Sequence, residues 1–276
     1  MTAPVGFVGL GSIGAPMARR LLRWPGGLVV HDVDPRACAA VKGAEVATGV
    51  AELASRVGFV SVMVRDDDQV RDVVGQIVAS GARPLVAVHS TVAPPTPAAL
   101  ASAAGPRILD APVSGSVIGA DAGTLAFMVG GTAEDFAAAK DVLALMGTRI
   151  VHAGPVGAGT AMKLARNLLQ FVSFTAAFEA QRLASAAGLD VRALGEVVRH
   201  TDAVTGGPGS VLLRGSSEPL TPDDPWTGVF THVRTLGEKD LGFAVELAAQ
   251  LDVDVPLARY ALAHLGRALG LPEVAP

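Results

Sequence analysis

Lys163 and Asn167 lie four residues apart in a stretch whose apolar residues recur at helical spacing, so both project from one helix face. Gln170 and Phe174 continue that line. A lysine amine can take the proton of an alcohol or return it, provided burial lowers its pKa from the ordinary value of about 10.4. Spacing alone equally admits a solvated helical lysine. Upstream, the small-residue loop Ala111-Pro-Val-Ser114-Gly115-Ser116 offers a hydroxyl and neighbouring backbone N–H groups to a carboxylate, although the same residues also suit an ordinary tight turn. Near the start of the chain, Gly9-Leu10-Gly11-Ser12-Ile13-Gly14 has glycines at the spacing a dinucleotide pyrophosphate needs. A second apolar run, Leu28 to His31, ends in Asp32, an acid placed to accept the ribose hydroxyls of NAD and to repel a 2′-phosphate. Arg36 lies close enough to keep NADP open.

These groups need a frame. Val5 to Val8 reads as a strand running into the glycine turn, and Ile13, Met17 and Leu21 as the apolar stripe of the helix after it. Gly58 to Val64 and Pro84 to His89 are near-continuous apolar runs of the buried parallel-strand kind, with Ser90-Thr91 at the carboxyl end of the second. Arg107–Asp110, Ala126–Val129 and Thr148–His152 read as shorter strands, and helical segments separate them. Asp66 to Asp68 suits the first turn of a helix, where acids favour the dipole. The pattern predicts a Rossmann-type, doubly wound, mainly parallel sheet over residues 1–156. From Gly157 the helical period dominates, starting with a long helix over Thr160 to Ala187. Asp190 should cap a helix to His200, residues 201–228 read as irregular, and two helices follow, about Leu236–Leu251 and Val255–Leu269. Residues 157–276 are thus expected to be an all-helical domain for substrate binding and dimerisation, joined to the first by the long helix.

Half of the 276 residues are hydrophobic and 17% are charged, enough for a sizeable core. A net charge of −4 without a basic patch argues against nucleic acid or an anionic membrane as partner. The six histidines stand singly, so no metal is expected, and the single Cys38 points to a reducing compartment. No long uncharged apolar span occurs, and the first strand begins too early for a leader peptide, so a cytoplasmic protein is expected.

Five blocks together resemble the β-hydroxyacid dehydrogenases, the family of 3-hydroxyisobutyrate dehydrogenase and tartronate semialdehyde reductase. They are Gly9-Leu-Gly-Ser-Ile-Gly-Ala-Pro-Met-Ala18, His89-Ser-Thr-Val92, Asp110-Ala-Pro-Val-Ser-Gly115, Gly157-Ala-Gly-Thr-Ala-Met-Lys-Leu-Ala-Arg-Asn167 and Lys239-Asp-Leu241. The resemblance implies that Lys163 is the catalytic acid/base and that Asn167 helps place it and the substrate. It implies that Ser114 and Gly115, with Ser116 beside them, hold the substrate carboxylate. Val64, Arg65 and Thr91 would line the cofactor with the glycine turn and Asp32, and Lys239 would approach it. Phe230 and Asp240 would border the substrate. The chain departs from the family pattern at Ser116, where a second glycine is usual, at Arg65, where proline is common, and at His89, where an acid is common. The expected activity is hydride transfer between NAD, or NADP, and a small 3-hydroxy acid or its semialdehyde, in a homodimer or homotetramer. An imine reductase shares this architecture but usually lacks the lysine. A non-catalytic dinucleotide-binding member would be expected to have lost Lys163 or Asn167, and both are present.

Overall fold

The computed structural model describes residues 2–103, 107–214 and 216–272. Val5–Val8 (β1) is buried along its whole length, as befits an apolar run covered on both faces, and Gly14–Leu21 (α1) follows the glycine turn. The chain continues through Leu28–His31 (β2), Pro35–Ala39 (α2), Glu45–Val46 (β3), Val50–Arg56 (α3), Phe59–Val62 (β4), Asp67–Ala79 (α4) and Leu85–Val88 (β5). Next come Thr96–Ser102 (α5), Arg107–Asp110 (β6), Val113–Ser114 (β7), Ser116–Ala122 (α6), Leu125–Gly130 (β8), Ala133–Ala144 (α7) and Gly147–Gly154 (β9). These strands form one sheet in the order β3-β2-β1-β4-β5-β6-β8-β7, with β9 also paired to β8. Neighbours from β3 to β6 are parallel, while β8 runs antiparallel to β6 and β7. The strand period of two divides the core. Val5, Phe7, Phe59, Leu85 and Ala87 point into one layer, and Val8, Val60, Val62, Val86 and Val88 into the other.

Ala158–Ala186 (α8), Val191–Thr205 (α9), Thr227–Gln250 (α10) and Pro256–Ala268 (α11) make up the rest, with a 3₁₀ segment at Gly207–Leu213. The chain divides into two compact units, Met1–Arg166 and Asn167–Pro276, so the division falls inside α8. The second unit has its own core of Leu220, Phe230, Leu269 and Leu271. The Glu179 carboxylate, buried on α8, accepts the N–H groups of Leu257 (2.8 Å) and Ala258 (3.0 Å) and so caps α11 from a different helix.

The expected Asp190 cap is present, but α9 runs on to Thr205, and α10 begins at Thr227 rather than Leu236. The early turns of α10 contain Gly228 and β-branched Thr231 and Thr235, weak helix formers whose hydroxyls bond back to the carbonyls four residues earlier. Burial of Phe230 in the local core outweighs that propensity. Two short helices, α5 and α6, and the edge strand β3 lie where no regular element was expected. At seven residues or two, each is too short for an apolar pattern to repeat often enough to be read. Among the described residues no helix is long and apolar enough to cross a membrane.

Candidate active site

The carboxyl ends of β1, β2, β4 and β5 open onto one cavity of 740 Å³ within the first unit. Gly9, Gly11, Ser12, Ile13 and Gly14 line it, with Asp32, Val64, Arg65 and Thr91. His31, Gln69, Asp72, Gln76 and Ser90 also line it. Ser90 was visible as a hydroxyl at a strand end; the α4 residues had no signature beyond their helical phase. Leu10 is not on the lining. Its N–H instead donates to Asp32 Oδ2 at 2.6 Å, while the N–H of Asp34 donates to Oδ1 at 2.8 Å. The Asp32 carboxylate is therefore held in one orientation, and each oxygen keeps a further lone pair for a ribose hydroxyl.

The glycine turn fits a pyrophosphate on its own geometry. Gly9 has φ +91°, and a Cβ there would lie 2.2 Å from Met63 O. At Gly14 a Cβ would lie 2.0 Å from Gly9 O, so the helix start and the turn after β1 touch backbone to backbone. A Cβ at Gly11 would meet nothing within 4 Å: that position is open toward the cavity. Among the described residues no side chain caps α1 and no acid sits in its first turn, which leaves N–H donors and the positive dipole end for an anion. Arg36 forms a bidentate pair with Asp34, Nε–Oδ1 3.1 Å and Nη2–Oδ2 3.0 Å, and is not among the cavity residues.

Lys163 occupies the second turn of α8, within the first unit, and is 8% exposed. Its Nζ donates to Val113 O at 2.6 Å and to Ser114 Oγ at 2.9 Å. Burial lowers the Lys163 pKa, and the positive charge of Arg166 lowers it further. A neutral amine that spends both hydrogens on Val113 and Ser114 keeps one tetrahedral direction, its lone pair, for an incoming proton. Ser114 accepts from Nζ, so its own hydrogen is free to be donated elsewhere. Gly115 (φ +134°) and Ser116 (φ +57°) turn the chain immediately after it. A non-glycine residue in the left-handed region costs about 1 kcal/mol, and Ser116 carries that strain where a glycine would not.

The buried His89 imidazole braces the same loop from β5. Nδ1–H donates to Ala111 O at 2.9 Å, and Nε2 accepts from the Ser61 hydroxyl at 3.0 Å, with Phe7 and Phe127 packed on the ring. Burial holds its pKa down to about 4, against an ordinary 6.5. The unfolded chain therefore takes up a proton below pH 6.5 that the folded chain refuses until about pH 4, and stability falls as pH drops through that window. We expect this group to contribute about 3 kcal/mol above pH 6.5 that is lost by pH 4. His89→Asn should flatten the acid limb of the urea midpoint against pH. An unchanged limb would mean other groups cause it.

Asn167 stands one turn beyond Lys163 on α8 and is the first residue of the second unit. Phe230, Lys239 and Asp240 also belong to that unit. Phe230 is buried in its core beneath the Arg214 guanidinium, so packing accounts for it. Lys239 pairs with Asp240 at 3.2 Å, and both side chains are more than half exposed.

A family model described as the NAD binding domain of 6-phosphogluconate dehydrogenase matches residues 4–154. A second, described as the NAD-binding of NADP-dependent 3-hydroxyisobutyrate dehydrogenase, matches residues 157–269. An uncharacterized oxidoreductase of Mycobacterium tuberculosis is 47% identical over 281 residues, covering 99% of this chain and 95% of its own. A Mycobacterium avium 104 protein of known structure superposes with a TM-score of 0.93 at 45% identity, covering 98% of this chain and 99% of that one. The solved structure of Mycobacterium tuberculosis 3-hydroxyisobutyrate dehydrogenase with L-serine gives a TM-score of 0.68 at 30% identity, covering 98% of this chain and 96% of that one.

Proposed function

As the chain belongs to the β-hydroxyacid dehydrogenase family and is an NAD(P)-dependent oxidoreductase, we propose that it interconverts a small 3-hydroxy acid and its semialdehyde, with Lys163 as general acid/base. The observation that carries this reading is the pair of hydrogen bonds from Lys163 Nζ to Val113 O and Ser114 Oγ. They spend the amine's hydrogens and leave its lone pair for the substrate hydroxyl. Bound NAD(P) supplies the acceptor for the hydride that leaves the carbinol carbon.

In the oxidising direction, neutral Lys163 takes the hydroxyl proton; in the reducing direction, its ammonium form protonates the developing alkoxide. Ser114, freed to donate, holds the substrate carboxylate with the N–H groups of Gly115 and Ser116. Ser114 Oγ and Nζ, 2.9 Å apart, thus place a carboxylate site beside the proton-transfer site, as a small hydroxy acid needs. Asn167, one turn along the same helix, orients the amine. Ser116, with a hydroxyl and strained backbone in place of a glycine, narrows the carboxylate end and favours a small substrate. Asp32, with its carboxylate fixed by two N–H donors, supports NAD over NADP, and the engagement of Arg36 with Asp34 supports the same preference.

The exposed Leu168, Phe171, Phe174 and Phe178 of α8 support self-association into a dimer or tetramer. The buried free thiol of Cys38 fits a reducing, cytoplasmic setting.

Initial rates with 3-hydroxyisobutyrate, L-serine, glycerate, tartronate semialdehyde and succinic semialdehyde, each with both cofactors, test this reading. The highest kcat/KM should fall on a 3-hydroxy acid or its semialdehyde with NAD(H). No turnover across the panel, together with reduction of a cyclic imine, would replace it with an imine reductase.

A further inference from the structure

The amine of Lys163 is useful only if the start of α8 lies at the right height and rotation against the loop that carries its acceptors. A local cap would satisfy the first N–H groups of the helix wherever the helix lay. This helix is capped differently. The Asp110 carboxylate, at the carboxyl end of β6 and 1% exposed, accepts Gly157 N–H on Oδ1 at 2.7 Å and Thr160 N–H on Oδ2 at 2.6 Å. Capping is satisfied only when the helix start sits over the end of that strand.

The same residue also begins the loop bearing Val113 O and Ser114 Oγ, so donor and acceptors are both referred to one point. Close backbone contact fixes the remaining freedom. A Cβ at Gly159 would lie 2.4 Å from Asp110 O and 2.3 Å from Met128 O, and one at Gly130 would lie 2.3 Å from Asp110 Oδ1. Lys163 follows Thr160 by three residues, one turn along the same helix face.

We propose that Asp110 is the positioning residue for Lys163, setting by its two backbone contacts where the amine meets Val113 and Ser114. This rests on the acid/base reading above. Asp110→Asn keeps the size but replaces one acceptor with an NH₂ that faces an N–H donor, so the first turn of α8 should shift.

The chain has four lysines, Lys42, Lys140, Lys163 and Lys239, so their Nζ resonances can be followed in ¹⁵N-lysine-labelled full-length protein and assigned with Lys163→Arg. In Asp110→Asn the Lys163 resonance should titrate closer to the ordinary lysine value than in wild type, without any substrate present. The pH limb of kcat should move the same way. With the best substrate of the panel, kcat should fall about a hundredfold, and the Kd for NADH should stay within about twofold. Thr160→Pro removes one donor and leaves the carboxylate, and should give a smaller change of the same kind.

A wild-type Lys163 titration in either folded variant overturns the proposal. So does loss of fold in both, which would make Asp110 a folding cap only. A shifted titration with no turnover of any panel substrate by the wild type would keep Asp110 as a positioning residue and refute the substrate reading instead.

Discussion

Lys163→Ala is expected to lower kcat by about 10²–10⁴, the ordinary size of a general acid/base contribution, while the Kd for NADH changes little. The loss follows from what the amine touches. Its two hydrogen bonds run to groups of the substrate loop, and no bond links it to the glycine turn or to Asp32. Removing the side chain also frees the Ser114 hydroxyl from an N–H donor, so KM for the hydroxy acid should rise modestly.

The pH profile sharpens the test. Burial first and Arg166 second lower the amine's pKa, so the oxidising reaction, which needs the neutral form, should gain rate with rising pH over a limb that starts below the ordinary lysine range. The reducing reaction needs the ammonium and should lose rate over the same limb. Steady-state kinetics in both directions, with NADH binding followed by fluorescence, decide the matter. Retention of more than about a hundredth of wild-type kcat, with the limb in place, would assign the proton transfer to another group.

Asp32→Ala is expected to weaken NADH binding by about a hundredfold. That is the loss of two hydrogen bonds to a charged acceptor at about 1.5 kcal/mol each. NADPH should lose far less, because the same change removes the repulsion of a 2′-phosphate, and the two cofactors should become near equals. Fluorescence titration with both nucleotides reads this directly. One structural effect must be separated from it. Asp32 also accepts the Leu10 N–H, so a small drop in Tm should accompany the change. Unaltered NADH affinity would mean that the carboxylate serves the turn alone and that another group reads the ribose.

Much of this arrangement was legible in the chain because it rests on short-range rules. The glycine turn, the acid that ends β2 and the fully apolar strands each carry a local signature, and the mainly parallel pairing follows from their alternation with helices. Lys163 and Asn167 were legible as a pair because helical phase places them on one face. The partners of Lys163 were only half legible. Ser114 is a side chain that can be read from the sequence, but the carbonyl of Val113 has no residue type to announce it. The contacts of Asp110 and His89 were hidden for a related reason. Their contacts span 47 and 50 residues for the first, and 22 and 28 for the second, and nothing local distinguishes them from any strand-end residue. The second unit was harder still, because Gly228, Thr231 and Thr235 argue against a helix that packing around Phe230 imposes.

The three glycines of the first turn fail in different ways when replaced. A methyl group at position 9 or 14 collides with main-chain atoms of the protein itself, whereas at position 11 it extends into open space. Replacement of either outer glycine should therefore impair folding itself. At the middle one the chain should still fold and lose only nucleotide affinity, because the methyl group enters the cavity. One decapeptide thus separates inheritance of shape from inheritance of activity, and a lineage could abandon the second while its architecture stayed whole.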